Sequence, residues 1–268
     1  MDPHHRFPFL VPTADHALAE EFVLLDNFYV DSEVSADGHN WSVGAYATDY
    51  LEKTWPTSYG GRGGTYSGEG SREIANNRDG FIWDFAKRYG VSYRTYGEFA
   101  DGGQPNIPVL EGHVCPYFVG WNMRVQDTVR FGQWKRDFDS LLVAGSVPQL
   151  NTLRFPNDHT EGLSLGRPTP NAHVADNDLA VGLFVEHLSH SPIWKESVVF
   201  IVEDDAQNGP LQLQPQELGG RPALPRSPSD HLLALLEAAG YSQDEGPRQI
   251  GGGLGEDVRG VGDDDTPS

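Results

Sequence analysis

The spacing of apolar positions changes repeatedly between residues 14 and 202, and each change predicts an element. Residues 14–21 have helical character. Residues 22–30 (FVLLDNFYV) read as a strand that empties into a polar turn, DSEVSADGHN. Residues 41–53 predict a helix, 55–80 a glycine-rich loop, and 80–89 (GFIWDFAKRY) an amphipathic helix stopped by Gly90 before a strand at 91–96. An irregular stretch at 97–128 precedes a helix at 130–142, a strand at 148–155, a loop at 156–170 and a helix at 174–189. Val198-Val199-Phe200-Ile201-Val202 is a continuous, mostly β-branched run, the pattern of a strand covered on both faces. Strands alternating with helices predict an α/β fold with a mainly parallel sheet flanked by helices.

Composition divides the chain. All six tryptophans fall before residue 211, whereas 211–268 carries one aromatic, Tyr241, among ten glycines and six prolines. The reading is therefore a short lead at 1–13, an α/β domain at 14–210 and a divergent acidic tail at 211–268. Within the tail, 228–239 predicts one helix around LLALLEAA, and the rest has too little to bury and reads as disordered.

Charge and cysteine usage narrow the chemistry. With 39 acids against 19 bases the net charge is −20, which argues against a phosphate-backbone surface for nucleic acid and suits cations. The single cysteine, Cys115, excludes an internal disulfide framework and a multi-cysteine zinc site, and is expected to be a small buried residue. No apolar run is long enough to span a bilayer, and MDPHHRFPFLVPTADH lacks the pattern of a secretory leader.

Three polar clusters follow predicted strands, where ligands of open α/β sheets bind. The first, 31–40, offers Ser35 as a nucleophile with Asp37, His39 and Asn40 nearby; the same residues also suit an ordinary capped turn. The second is Asn157-Asp158-His159-Thr160, where Asp158 and His159 supply oxygen and imidazole, the donor mix of zinc or manganese sites. The third is Glu203-Asp204-Asp205, either a solvated acidic turn or a cation site, because adjacent carboxylates resist burial without compensation. If the three ends share one sheet edge, they make a metal-assisted phosphoryl-transfer site. GGRGG at 60–64 lacks the GK[ST] ending of a P-loop and reads as a surface loop. His187 and His190 at a helix end, and Asp176 and Asp178 near its start, read as structural.

The segments DNFYVDSEVSADGHNWSVGAYATDYLEKTWPTSYGGRGG, NTLRFPNDHTEG and SPIWKESVVFIVEDDAQNGP resemble the bacterial phosphoesterase family that includes phospholipases C and certain acid phosphatases. The resemblance covers roughly 15–210. It implies an alkaline-phosphatase-like fold and attack by a serine on a phosphoester, with a phosphoryl-enzyme intermediate and a divalent metal ion (zinc, manganese or calcium). It implies Ser35 as nucleophile, with His39 and Asn40 in the same loop. Asp204 and Asp205 are implied as the metal-binding pair, and Asp158 and His159 as a ligand or phosphate-contact segment. Members are usually exported. Two family elements have no counterpart: an opening strand ending in Glu-Asn, and a DHVDAHR-like run after EDDAQNGP. The fold is thus expected to be incomplete, with an inactive cation- or phosphate-binding fragment as the alternative to an enzyme. The abrupt change after Pro210 suggests a shifted reading frame, a hypothesis that fails if no frame of the locus encodes DHVDAHR.

Overall fold

A computed structural model describes residues 14–25 and 32–205, and the backbone of Leu233–Leu236. The lead at 1–13, most of the tail and the second half of the predicted strand at 22–30 lie outside the described residues. The described chain is a mixed helix and strand fold with a small parallel sheet.

Helix α1 (Ala14–Glu21) runs into the two-residue strand β1 (Val23–Leu24). Two helices, α2 (Ser35–Gly44) and α3 (Asp49–Tyr59), then replace the single helix expected at 41–53. The break is local. Ala45 adopts φ +61° and closes α2 by donating its N–H to the Trp41 carbonyl, while the Thr48 hydroxyl accepts the Leu51 N–H and starts α3. Helix α3 continues past Lys53 and through Pro56, so Tyr59 belongs to a helix rather than to the expected loop.

Helix α4 (Ile82–Arg88) leads to strand β2 (Tyr93–Tyr96). The stretch expected to be irregular contains a tight hairpin, β3 (Ala100–Asp101) with β4 (Gln104–Pro105). Helix α5 (Asp127–Val143) precedes strand β5 (Leu150–Leu153), which pairs in parallel with β2, Tyr93 opposite Leu150 through Tyr96 opposite Leu153. The long helix α6 (Pro170–Ser189) leads to strand β6 (Val198–Ile201).

Two expectations are corrected. Strand β6 pairs antiparallel with β7 (Leu233–Leu236), which also pairs antiparallel with β1. Residues 233–236 are therefore strand rather than part of the helix expected at 228–239. A short apolar run suits either element, and pairing between β1 and β6 decides it. Nor is β6 covered on both faces: Val198 and Phe200 are 49% and 66% exposed.

The core is aromatic. One cluster joins Phe81, Trp83, Phe99 and Leu110 beneath α4 and β2. A second places Trp134 and Phe138 of α5 against Phe184 and Leu188 of α6, with Tyr96, Phe118 and the fully buried Cys115. His187 extends this cluster by meeting Phe131, Trp134 and Phe138 edge-on, while its Nε2 lies 2.7 Å from Asp139. Helix α6 ties two other helices down. Asp178 accepts the Ala14 and Asp15 N–H groups of α1, both at 2.9 Å, and Asp176 accepts the Asp127 N–H of α5 at 2.6 Å and the Thr128 hydroxyl at 2.8 Å. Carboxylates satisfy helix N-terminal donors and match the dipole, so these acids fix packing between helices; because α6 starts at Pro170 and has no acid in its first turn, they serve the neighbouring helices and not their own, contrary to the expectation from sequence.

Candidate active site

Helix α2 begins at Ser35 itself, six residues before the expected start. The Asp37 carboxylate accepts the Val34 N–H at 3.2 Å and fixes this first turn. A side chain at position 38 would not fit, because a Cβ there would lie 2.0 Å from the Asp204 carbonyl oxygen. Gly38 thus lets α2 press against the acidic segment after β6. That contact brings together the first and third polar clusters. The Ser35 hydroxyl donates to Asp205 Oδ2 at 3.2 Å, and Ser32 donates to the Asp204 carbonyl at 3.1 Å.

One turn further along α2, His39 is buried among acids. Its Nδ1 lies 2.8 Å from Glu98 Oε1; its Nε2 lies 3.2 Å from Asp204 Oδ2 and 3.5 Å from Glu69 Oε1. Neither of the latter contacts is aligned as a hydrogen bond, so among the described residues Nε2 has ion-pair partners but no hydrogen-bond partner. Burial opposes the charged form, but the carboxylates of Glu98, Asp204 and Glu69 outweigh it and push the imidazole up to about 9. His39 is therefore an imidazolium at neutral pH. Glu69 is also paired with Arg154 and accepts the Tyr66 hydroxyl at 2.8 Å; despite burial, His39 and Arg154 hold it below the ordinary carboxylate range.

Ser35 opens into a cleft of about 520 Å³ whose walls include Tyr59, Tyr66, Trp121, Arg154 and His159. The Tyr59 hydroxyl accepts the Ala36 N–H at 3.2 Å; burial, with Asp205 and Asp204 nearby, raises it to about 12. The Arg154 guanidinium lies over the Trp121 ring at 4.9 Å, and His159 meets the same ring edge-on at 4.9 Å. Pairing with Glu69 and the neighbouring Glu98 and Asp204 keeps Arg154 charged in spite of its burial.

The second polar cluster divides between two environments. Asp158 faces inward. Burial, and then Glu203, Asp204 and Asp127, push it well above the usual carboxylate range. His159 lines the cleft, and its Nδ1 meets the Thr160 carbonyl at 2.9 Å. Asn40 stands apart from both: its amide donates to the Ala75 carbonyl at 2.9 Å and to Asn77 at 3.2 Å, a structural bridge inside the fold. So the structure brings Ser35, His39, Asp204 and Asp205 together, sets Asp158 within electrostatic reach of them, and puts His159 on the cleft wall.

The oxygen-rich set of Ser35, Asp158, Asp204 and Asp205 suits a hard divalent cation in donor type. In placement it falls short, because no group of three or more His, Cys, Asp or Glu among the described residues is arranged to hold a metal ion.

Glu69, Glu98, Arg154 and Trp121 were not legible as site residues. Glu69 and Glu98 have one local signature, backbone strain at or beside them; Arg154 and Trp121 have none. Among the described residues, four non-glycine positions have positive φ: Glu69 itself, Phe99 beside Glu98, Thr160 beside His159, and Ala45. Three of the four adjoin the site, where strained conformations concentrate. Among the described residues no helix is long and apolar enough to cross a membrane. Comparison with protein-family models, curated proteins and solved structures gives no match.

Proposed function

We propose that the chain is a phosphoric-ester hydrolase of alkaline-phosphatase-like descent, with Ser35 as its nucleophile. The observation that carries this reading is the hydrogen bond from Ser35 Oγ to Asp205 Oδ2, made between residues 170 positions apart at a cleft also lined by Arg154. The resemblance of the segments around Ser35, Asp158 and Asp204-Asp205 to bacterial phosphoesterases points the same way.

In the proposed reaction Oγ attacks phosphorus as Asp205 takes its proton. The P–O bond to the alcohol breaks and the alcohol leaves with the proton from Asp205; Asp205 then takes a proton from the water that attacks the phosphoserine and returns it to Oγ as the Ser35–phosphorus bond breaks. Arg154, held by Glu69 and Trp121, provides positive charge at the cleft wall for the phosphoryl oxygens. His39 positions Asp204 from within the fold. The resemblance implies a divalent ion held by Asp204 and Asp205, which would supply charge neutralisation. Because the described side chains do not form a three-ligand group, no step is derived through it. With Arg154 on the cleft wall, that same placement favours a second reading, a module that binds phosphate without turnover.

Hydrolysis of p-nitrophenyl phosphate and bis-p-nitrophenyl phosphate, with zinc, manganese or calcium added in turn, tests the first reading against the second. Turnover is expected with at least one pair of ester and metal. Ser35→Ala should lower it on the order of 10³-fold or more, since the covalent route is lost. Full turnover in that variant removes Ser35 from its role, and phosphate binding without hydrolysis leaves the second reading.

A further inference from the structure

At about 520 Å³ the Ser35 cleft has room for a whole small molecule, not only for a phosphoryl group. Three aromatic rings line it, Tyr59, Tyr66 and Trp121, which are 46%, 40% and 41% exposed. Both tyrosine hydroxyls are used within the fold, one accepting the Ala36 N–H and the other donating to Glu69, so the rings are what remains for a ligand. The centroids of Tyr59 and Tyr66 are 6.5 Å apart and the rings are tilted by 51°, which makes a corner and not a parallel slot. Arg154, the cation proposed for the phosphoryl group, lies over Trp121, so the phosphoryl end and the aromatic wall are contiguous.

The other polar groups on these walls are acceptors. Asp101 is exposed; its Oδ1 accepts the Trp121 N–H at 2.9 Å, which leaves Oδ2 free among the described residues. The Asn106 amide donates to the Glu69 carbonyl at 3.0 Å, so its nitrogen is committed there and its oxygen is left to accept. Ser58 and Ser71 donate their protons to the Trp55 and Tyr66 carbonyls, at 3.1 and 3.2 Å, and keep only lone pairs for a ligand. Two glycines seat this wall. A Cβ at position 68 would lie 2.7 Å from the Tyr66 hydroxyl, and one at position 120, where φ is +68°, would lie 2.6 Å from Asp101 Oδ1.

Half-exposed rings beside a set of acceptors call for a partner with apolar C–H faces and several O–H donors. The Asp101 carboxylate repels a second anionic group, so that partner is neutral beyond its phosphoryl end. We propose that the cleft takes sugar phosphates, with the sugar ring against Tyr59 and Tyr66, its hydroxyls donating to Asp101 and Asn106, and the phosphoryl group between Ser35 and Arg154. The phosphoryl end of this assignment rests on the phosphoesterase reading, and the sugar end rests on the cleft wall. A nucleobase asks for parallel ring faces, which the tilted corner does not offer. A quaternary ammonium would use the rings and Asp101 but leave Asn106, Ser58 and Ser71 without donors.

Titration calorimetry of the full chain carrying Ser35→Ala, which lacks the nucleophile, tests this under the metal conditions used for turnover. D-glucose 1-phosphate is compared with ethyl phosphate, which has the same phosphoryl group and no hydroxyls, and with phosphocholine and AMP. The sugar ester is expected to bind about tenfold tighter than each of the three, or more. Asp101→Asn, added to Ser35→Ala, keeps an acceptor for the Trp121 N–H. It should weaken the sugar ester by about tenfold and leave ethyl phosphate unchanged. Any of the three comparators binding as tightly as the sugar ester overturns the sugar assignment, and so does an Asp101→Asn variant that weakens the sugar ester and ethyl phosphate alike or weakens neither. If wild type still hydrolyses p-nitrophenyl phosphate through Ser35, the sugar assignment falls alone. If no phosphoester binds and none is turned over, the phosphoesterase reading falls with it.

Discussion

Arg130 and His39 are both cations buried inside this fold, and they are provided for in opposite ways. All five N–H donors of Arg130 have acceptors: Nε and Nη2 reach the Gly120 carbonyl, Nη2 also the Asn122 carbonyl, and Nη1 the Val125 carbonyl and Asp127 Oδ1. Yet burial dominates its electrostatics. It lowers Arg130, and it pushes Asp127 up to about 6 against the Asn157 N–H and Arg130 itself. His39 is the reverse. Its hydrogen bonding is unfinished at Nε2, but its surroundings are over-supplied with carboxylate, which push it up to about 9. A geometrically complete centre that is electrostatically costly specifies one packing arrangement, here of the 120–127 loop on α5. A charge-rich centre with unfinished hydrogen bonding stabilises the fold through its charge and also leaves a polar atom at the wall of a cleft, the setting in which functional sites concentrate.

The sharpest way to break this comparison is Arg130→Met. It leaves Asp127 buried with one fewer donor and three carbonyls short of theirs, and should cost about 3–5 kcal/mol by chemical denaturation. A loss under about 1 kcal/mol would mean the Arg130 centre is not structural.

His39 gives the next effect. Its folded value lies above the unfolded 6.5, so its stabilisation is complete below pH 6.5 and disappears as pH rises through about 9. That shift corresponds to about 3 kcal/mol at most. Wild-type stability should therefore fall between pH 6.5 and 9, and His39→Leu should be less stable at pH 6.5 but flat over that interval. Equal slopes in the two proteins would show that His39 is not charged by its neighbours.

The smallest effect belongs to a position remote in kind from both centres. Ala45 has φ +61° with no glycine to relieve it, so Ala45→Gly should leave the pH dependence of stability unchanged and raise stability by about 0.5–1 kcal/mol. A loss of stability would indicate that the Ala45 methyl group is needed for packing.

These centres also show what could be read from the sequence. Helix α1 falls at 14–21 as expected, and α5 and α6 extend only a few residues beyond 130–142 and 174–189, because apolar residues at helical spacing report local periodicity directly. The break at Ala45 escaped because it depends on one left-handed residue that is not glycine. Strand β7 escaped because LALL suits a helix equally well until β1 and β6 provide partners. At the site, Ser35 and Asp204-Asp205 were legible as polar groups placed after apolar runs. Glu69, Glu98 and Arg154 were not, because their importance arises from meeting His39 and one another across the fold, and no local spacing encodes that.

The measurement that bears most directly on the central claim is acid-quenched mass spectrometry of the protein during incubation with p-nitrophenyl phosphate and the metal that supports turnover. The account predicts one added phosphoryl group on the peptide containing Ser35, forming before steady state and absent in Ser35→Ala. Hydrolysis that proceeds with Ser35 unmodified, or a phosphoryl group on a different residue, would contradict it.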